Sequence, residues 1–215
     1  RRGGASGNGT FDDIWIAAIF GLALYRLACK KMEDGNLDQI FSRAAIEPKA
    51  QKTAQLLEFL SRQDKTMEPG LLKATAQKTF EAMQLCWQNR EYAPMRAMLA
   101  ANLYAGHLTQ IENMRRDHEI NMIEDLKALA VDIVGIRYTI KEDSRFFTAL
   151  ITAEAKDYYI DDTDNSFIRG DSQPEKFQEF WTFNFSAGKW LLCVIEQTAE
   201  SDTLTKEDFF EQFTD

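Results

Sequence analysis

The sequence predicts an α+β domain, with N-terminal helices packed on one face of a curved antiparallel sheet. Three observations predict it. Apolar residues recur at helical spacing between Leu71 and Asp117. From Val131 onward the period falls to two, and β-branched and aromatic residues take over. The stretch Phe177–Gln197 reads as a hairpin: strands Phe177–Phe185 and Lys189–Gln197 flank Ser186-Ala187-Gly188, where Gly188 can take a positive φ. Helices first and strands afterwards give α+β rather than an alternating α/β order.

Residues 1–10, RRGGASGNGT, have the composition of a flexible linker. The next segment, 11–31, holds a twelve-residue apolar run from Ile14 to Tyr25. The run extends to Cys29 if Arg26 snorkels. Membrane spans need roughly 17–25 apolar residues, so this one is short. Its flanks suit a membrane all the same: Asp12 and Asp13 before, Lys30 and Lys31 after, with Trp15 and Tyr25 at interfacial positions. Trp15, Ile16, Phe20, Leu24 and Tyr25 are the candidate anchor residues. Three readings stand for this segment: it spans or inserts into a membrane, it lies on a membrane or partner, or it packs on its own domain.

Residues 32–69 read as a helical connector with too few apolar residues for a core of their own. Pro48 and Pro69 punctuate it, and a helix with Ala50, Ala54, Leu57 and Leu60 runs to about Arg62. A stronger helix spans Leu71 to about Arg90, with Leu72, Ala76, Phe80, Met83 and Trp87 in one stripe. Pro94 opens another, which keeps helical spacing to about Asp117.

The strands follow: Val131–Ile140 with a bend at Gly135, Phe146–Ile160, a short return strand Phe167–Arg169 ended by Gly170-Asp171, and the hairpin. Lys189–Gln197 is apolar on both faces, which places it inside the sheet. Phe209, Phe210 and Phe213 suggest a short docking helix in the acidic tail. The chain thus divides into linker 1–10, hydrophobic anchor candidate 11–31, connector 32–69, α+β domain 70–200 and acidic tail 201–215.

The formal charge is −9. From Gly70 onward 25 acids face 15 bases, a balance of −10, which disfavours nucleic acid as a partner. Cys29, Cys86 and Cys193 are far apart and without a CxxC, so neither a metal site nor a disulfide framework is expected. Asp161-Asp162-Thr163-Asp164-Asn165 lacks the sixth-position Gly and twelfth-position Glu of a calcium loop and reads as a turn. His107 and His118 are eleven residues apart and do not form a zinc helix. No phosphate loop or nucleophile motif is present, and no cofactor is expected. A cone-fold isomerase or hydratase would need a buried acid, with Glu154, Asp157, Glu179 or Glu196 as candidates, or a buried His.

One set of motifs is more specific. Ala155-Lys156-Asp157-Tyr158-Tyr159-Ile160-Asp161-Asp162 is followed by Gly170-Asp171, then Phe177-Gln178-Glu179-Phe180-Trp181-Thr182-Phe183, Gly188-Lys189-Trp190-Leu191-Leu192 and Ile195-Glu196-Gln197. With Phe80 to Trp87 and Tyr92-Ala93-Pro94-Met95-Arg96, this order resembles the Tim44-like family over about residues 70–200. The resemblance implies a cone-like fold of the nuclear-transport-factor-two-like superfamily, with an apolar pocket or groove and no catalysis. It implies a membrane-anchored binding or tethering module, linked to protein translocation, with membrane lipid, a protein partner or a membrane complex as the partner. An accessory subunit of a larger membrane complex is the nearest alternative. The implied place is a bacterial inner membrane facing the cytoplasm, or a mitochondrial inner membrane facing the matrix. On the sheet, Phe147, Ile151, Trp181, Phe183, Trp190 and Leu192 are the expected pocket lining. The acidic domain argues against transferring import-motor or ribosome-binding roles.

Overall fold

The computed structural model describes residues 40–211. The anchor candidate 11–31, including Trp15, Ile16, Phe20, Leu24 and Tyr25, lies outside the described residues, as does the short hydrophobic helix expected there. Among the described residues three α-helices precede the sheet: α1 (Arg43–Leu60), α2 (Pro69–Gln88) and α3 (Ala101–Arg116). Five strands follow: β1 (Glu119–Tyr138), β2 (Phe146–Asp161), β3 (Phe167–Ser186), β4 (Lys189–Gln197) and β5 (Phe209–Phe210). Their order is β4-β3-β2-β1-β5. The first four strands pair antiparallel, and β5 joins β1 in parallel, so the sheet is mixed. The α+β architecture is as the periodicities predict.

Alternation gives the sheet two different faces. One carries Phe147, Ala149, Ile151, Trp181, Phe183 and Leu192 into the main core. There they meet the α2 stripe of Leu72, Ala76, Phe80, Met83 and Trp87, all buried as the helical spacing predicts. Pro69 opens α2, and the Glu68 carboxylate caps it by accepting from the Gly70 and Leu71 amides. The opposite face carries Val134, Leu150 and Phe180, covered by Ile46 and Ala50 of α1, Phe41 and Leu204.

Helix α1 therefore serves both faces. Its first half covers the smaller cluster, while Leu57 and Leu60 enter the main core with Met67. Residues 43–67, read from sequence as a connector, pack into the same core as the rest. Pro48 sits inside α1 rather than ending it; near the N-terminus it forfeits only the bond to the Ala44 carbonyl.

Other expectations change. The helical spacing predicted from Pro94 onward breaks: Ala93–Ala97 is a 3₁₀ turn, and α3 begins at Ala101. Between them Leu99 bridges to Leu192 and Ala100 is extended. The Ala100 amide donates to the Leu192 carbonyl at 2.8 Å, and the Leu192 amide to the Met98 carbonyl at 2.9 Å. This segment caps the outer edge of β4, which ends the strand order instead of lying inside it. Helix α3 packs against β4 as well. Strand β1 starts at Glu119, twelve residues earlier than the alternation suggests, because bulges near 125, 129 and 134 break the period. Strand β3 continues through Gly170 and Pro174 rather than stopping. It absorbs Ser172-Gln173-Pro174 as a bulge opposite Lys156. Finally, Phe209 and Phe210 form a strand, not a docking helix.

The hairpin β3–β4 closes as predicted. Ser186 pairs with Lys189, and Ala187 and Gly188 have φ of 49° and 77°. Two positive φ values make a tight turn whose twist matches that of the flanking strands.

Candidate functional site

The six residues expected to line a pocket come together on one face of β2, β3 and β4. Phe147, Ile151, Trp181, Phe183 and Leu192 have no solvent exposure, and Trp190 has 8%. Phe147 and Phe183 stack with centroids 4.6 Å apart. Trp190 meets Phe147 edge-on at 4.9 Å, and Trp181 meets Phe80 of α2 at 5.3 Å. The Trp190 indole N–H donates to the Thr66 carbonyl at 3.1 Å, fixing the α1–α2 connection over the sheet. These side chains form the sheet's half of the core.

Glu179 lies in the same row, between Phe177 and Trp181, with no solvent exposure. Its two oxygens accept from the Trp181 indole N–H at 3.1 Å and from the Gln197 amide at 3.2 Å. Gln197 stands opposite Glu179 where β4 ends. Its Oε1 is buried and has no donor among the described residues. The other acids differ. Glu154 is partly buried and 3.8 Å from Lys127. Asp157 accepts from the Asn121 amide at 2.5 Å. Glu196 is half-buried, and burial raises its carboxyl above the usual range.

The two histidines occupy unlike places. His118 is exposed at the head of β1, 3.0 Å from Asp162, which also receives Arg90 at 2.6 Å. His107 is buried on α3, with its Nδ1 2.5 Å from the Tyr92 hydroxyl and its ring edge-on to Trp87. Burial pulls its pKa down to about 4, so it is neutral at neutral pH. Cys193 is similarly shielded, its thiol pushed up to about 12 by burial, and its Sγ lies 3.2 Å from the Thr182 carbonyl. A thiol held protonated is a poor nucleophile.

Asp161–Asn165 forms a turn tied by its own side chains: Asp161 accepts from the Thr163 amide and Asp164 from the Ser166 amide. Among the described residues no three His, Cys, Asp or Glu are placed to hold a metal ion. No helix among them is long and apolar enough to cross a membrane.

Sequence reasoning placed the apolar row and named Glu179 among four candidate buried acids, but did not pair it with Gln197. The signal was present: strict alternation through Phe177, Glu179, Trp181 and Phe183 turns Glu179 inward.

The Tim44-like domain model matches residues 53–197, two-thirds of the chain, and includes α2, α3, the four long strands and the end of α1. The chain belongs to the Tim44-like family. The match begins inside α1, in keeping with that helix's place in the core. No curated protein matches the chain. Among solved structures it is similar to the intermembrane space region of the chloroplast protein ARC6, with 9% identity and a TM-score of 0.43. That likeness covers 59% of this chain and 92% of the other.

Proposed function

We propose that this Tim44-like chain is a non-catalytic, membrane-associated binding and tethering module of a translocation-type system. Its apolar layer between sheet and helices accepts an apolar segment of a protein partner or a lipid acyl chain. The family match over residues 53–197 carries this reading. The apolar residues Phe147, Ile151, Trp181, Phe183, Trp190 and Leu192, which sit in the core with Glu179 among them, are the lining that would receive it. The run Ile14–Tyr25 supplies the attachment, with Trp15, Ile16, Phe20, Leu24 and Tyr25 as its membrane-facing residues. Flotation with phospholipid vesicles tests the reading. The full chain is expected to float with the vesicles, and a chain lacking residues 11–31 to stay behind. A full chain that remains in solution overturns it.

A second reading, an accessory subunit of a larger membrane complex, is favoured by an exposed aromatic group at the sheet edge. Phe59 and Phe210 are 49% and 37% exposed and meet edge-on at 6.2 Å, with Phe209 at 42% beside them. Native gels of membrane extracts are expected to show a large species. A small monodisperse species overturns this reading.

A further inference from the structure

On one side of the sheet the last long strand is β1, and its outer edge is met by the tail. The tail supplies Phe209 and Phe210 as a strand, opposite Arg137 and Tyr138. The acids that flank these two residues extend the ladder with their side chains. The Ile136 amide donates to Asp208 Oδ1 at 2.9 Å, and the Ile140 amide donates to Glu211 Oε2 at 2.8 Å. Between those points the Glu211 amide donates to the Tyr138 carbonyl at 3.0 Å. Carboxylates thus stand where the carbonyls of a neighbouring strand would accept, and such bonds are charge-assisted. Helix α1 and β1 meet the same segment with cations. Lys49, buried, pairs with Asp208 at 2.8 Å, and the Thr53 hydroxyl donates to the other Asp208 oxygen at 2.8 Å. Lys52 pairs with Glu207, and the Arg137 guanidinium lies 4.8 Å from the Phe209 ring centre. A chain of net charge −9 thus sets three cations against five residues. The edge selects a sequence as well as a backbone: acid, aromatic, aromatic, acid.

We propose that the β1 edge from Ile136 to Ile140 docks an extended acidic–aromatic–aromatic–acidic segment of a protein partner, and that Glu207–Glu211 is its built-in competitor. The inference names the contact for the accessory-subunit reading and rests on that reading. The segment is held separately from the rest of the tail. Leu204 packs on the cluster of Val134, Leu150 and Phe180, and the Asp202 carbonyl accepts from the Thr205 and Lys206 amides. Residues 207–211 can therefore leave the edge while those before them stay packed. A two-residue strand whose Phe209 and Phe210 remain 42% and 37% exposed opens readily. Backbone pairing supplies strand addition, and the places of Asp208 and Glu211 supply specificity. Because the tail is attached, it acts at high effective concentration, so a partner displaces it only by adding contacts. Phe59 and Ile140, 49% and 59% exposed, border the site and are free to give them.

The test uses the full chain with a protease site inserted between Lys206 and Glu207. Cutting the folded protein leaves the segment held by its contacts alone. Fluorescence anisotropy follows a labelled peptide with the sequence of residues 205–211. The peptide is expected to bind the cut chain at least tenfold more tightly than the uncut chain. Replacing its two flanking acids, as Asp208→Asn with Glu211→Gln, should weaken binding at least tenfold. Arg137→Gln in the cut chain should weaken it about threefold. If cutting unfolds the chain, by far-UV circular dichroism, the uncut variant Phe209→Ser with Phe210→Ser takes its place. That variant keeps Asp208 on Lys49, and the same expectations hold for it against wild type. No binding by the folded cut chain, or equal binding of a scrambled peptide, overturns the inference. So do dimers of the uncut chain, seen by sedimentation, that the peptide fails to dissociate, since these assign the edge to a second copy's tail. Native gels of membrane extracts read the whole complex. A large species without peptide binding sinks this site alone, and a small species with peptide binding sinks the accessory-subunit reading alone.

Discussion

The Arg145 guanidinium and the Asp64 carboxylate meet at 2.8 Å, 81 residues apart in the chain, and join the β1–β2 connection to the α1–α2 connection. Arg145 is buried, donates also to the Thr139 carbonyl at 2.8 Å and stacks over Tyr138 at 4.5 Å. Tyr138 in turn donates to Asp64 at 3.2 Å. Arg145→Met leaves Asp64 without its cation in a half-buried site. It is expected to cost about 3 kcal/mol, measured by urea denaturation. For Asp64, burial works against the charged form, but the hydrogen bonds from Thr66 and the Arg145 charge outweigh it and hold the pKa below the ordinary value. A lowered carboxylate pKa gives stability that is present above the unfolded-state value and is lost as pH falls through the folded one. Asp64→Asn is therefore expected to remove part of the acid sensitivity below about pH 4.

His107 predicts a second pH window. Its folded pKa of about 4 lies below the ordinary histidine value of 6.5, so the unfolded state takes up the proton first. Stability is fully present above pH 6.5 and declines as pH falls towards 4, by about 3 kcal/mol in all. A His107→Gln variant is expected to show a flatter dependence across that window. Tyr92→Phe removes the hydroxyl at Nδ1, costs about 1 kcal/mol, and should leave His107 buried, as read from its NMR titration.

Two glycines separate backbone strain from lack of space. At Gly170, φ is +109°, and a Cβ would sit 2.5 Å from the Tyr158 Cα and 2.6 Å from the Asp157 carbonyl oxygen. At Gly188, φ is +77° with open space around it. Gly188→Ala should cost about 1 kcal/mol. Gly170→Ala should cost about 3 kcal/mol or more, because β2 backbone must move. Thermal melts of the two variants compare them directly.

The tail predicts a fourth effect. Asp208 pairs with buried Lys49 at 2.8 Å, accepts from Thr53 at 2.8 Å, and caps the Ile136 amide of β1 at 2.9 Å. Asp208→Ala strands a buried ammonium and an edge N–H together and is expected to cost about 3–5 kcal/mol. A chain ended at Thr198 should lose at least as much. Denaturant titration checks both.

The sequence made some of this legible and hid the rest for physical reasons. The β3–β4 hairpin was readable because its pairing is local and Gly188 marks its turn. The Trp181 face was readable because period-two alternation survives from Phe177 to Phe185. The first half of β1 was not, since its bulges shift the side chains between faces. The role of α1 was hidden because it divides its apolar residues between two clusters, which weakens any single stripe. Arg145 with Asp64 and Lys49 with Asp208 join distant segments, and nothing local marks either pair.

The bulge at Ser172-Gln173-Pro174 has a consequence for crowding at a surface. Proteins gathered there at high local concentration are at risk of joining strand to strand into fibres. On β3 the stretch before Glu179 lacks a β4 partner, and there Pro174 offers no N–H and the bulge breaks the ladder. A neighbouring copy could add a regular strand only along Phe167–Asp171 or Glu175–Gln178, each too short to hold by itself. Copies can thus be packed closely without polymerising through this edge.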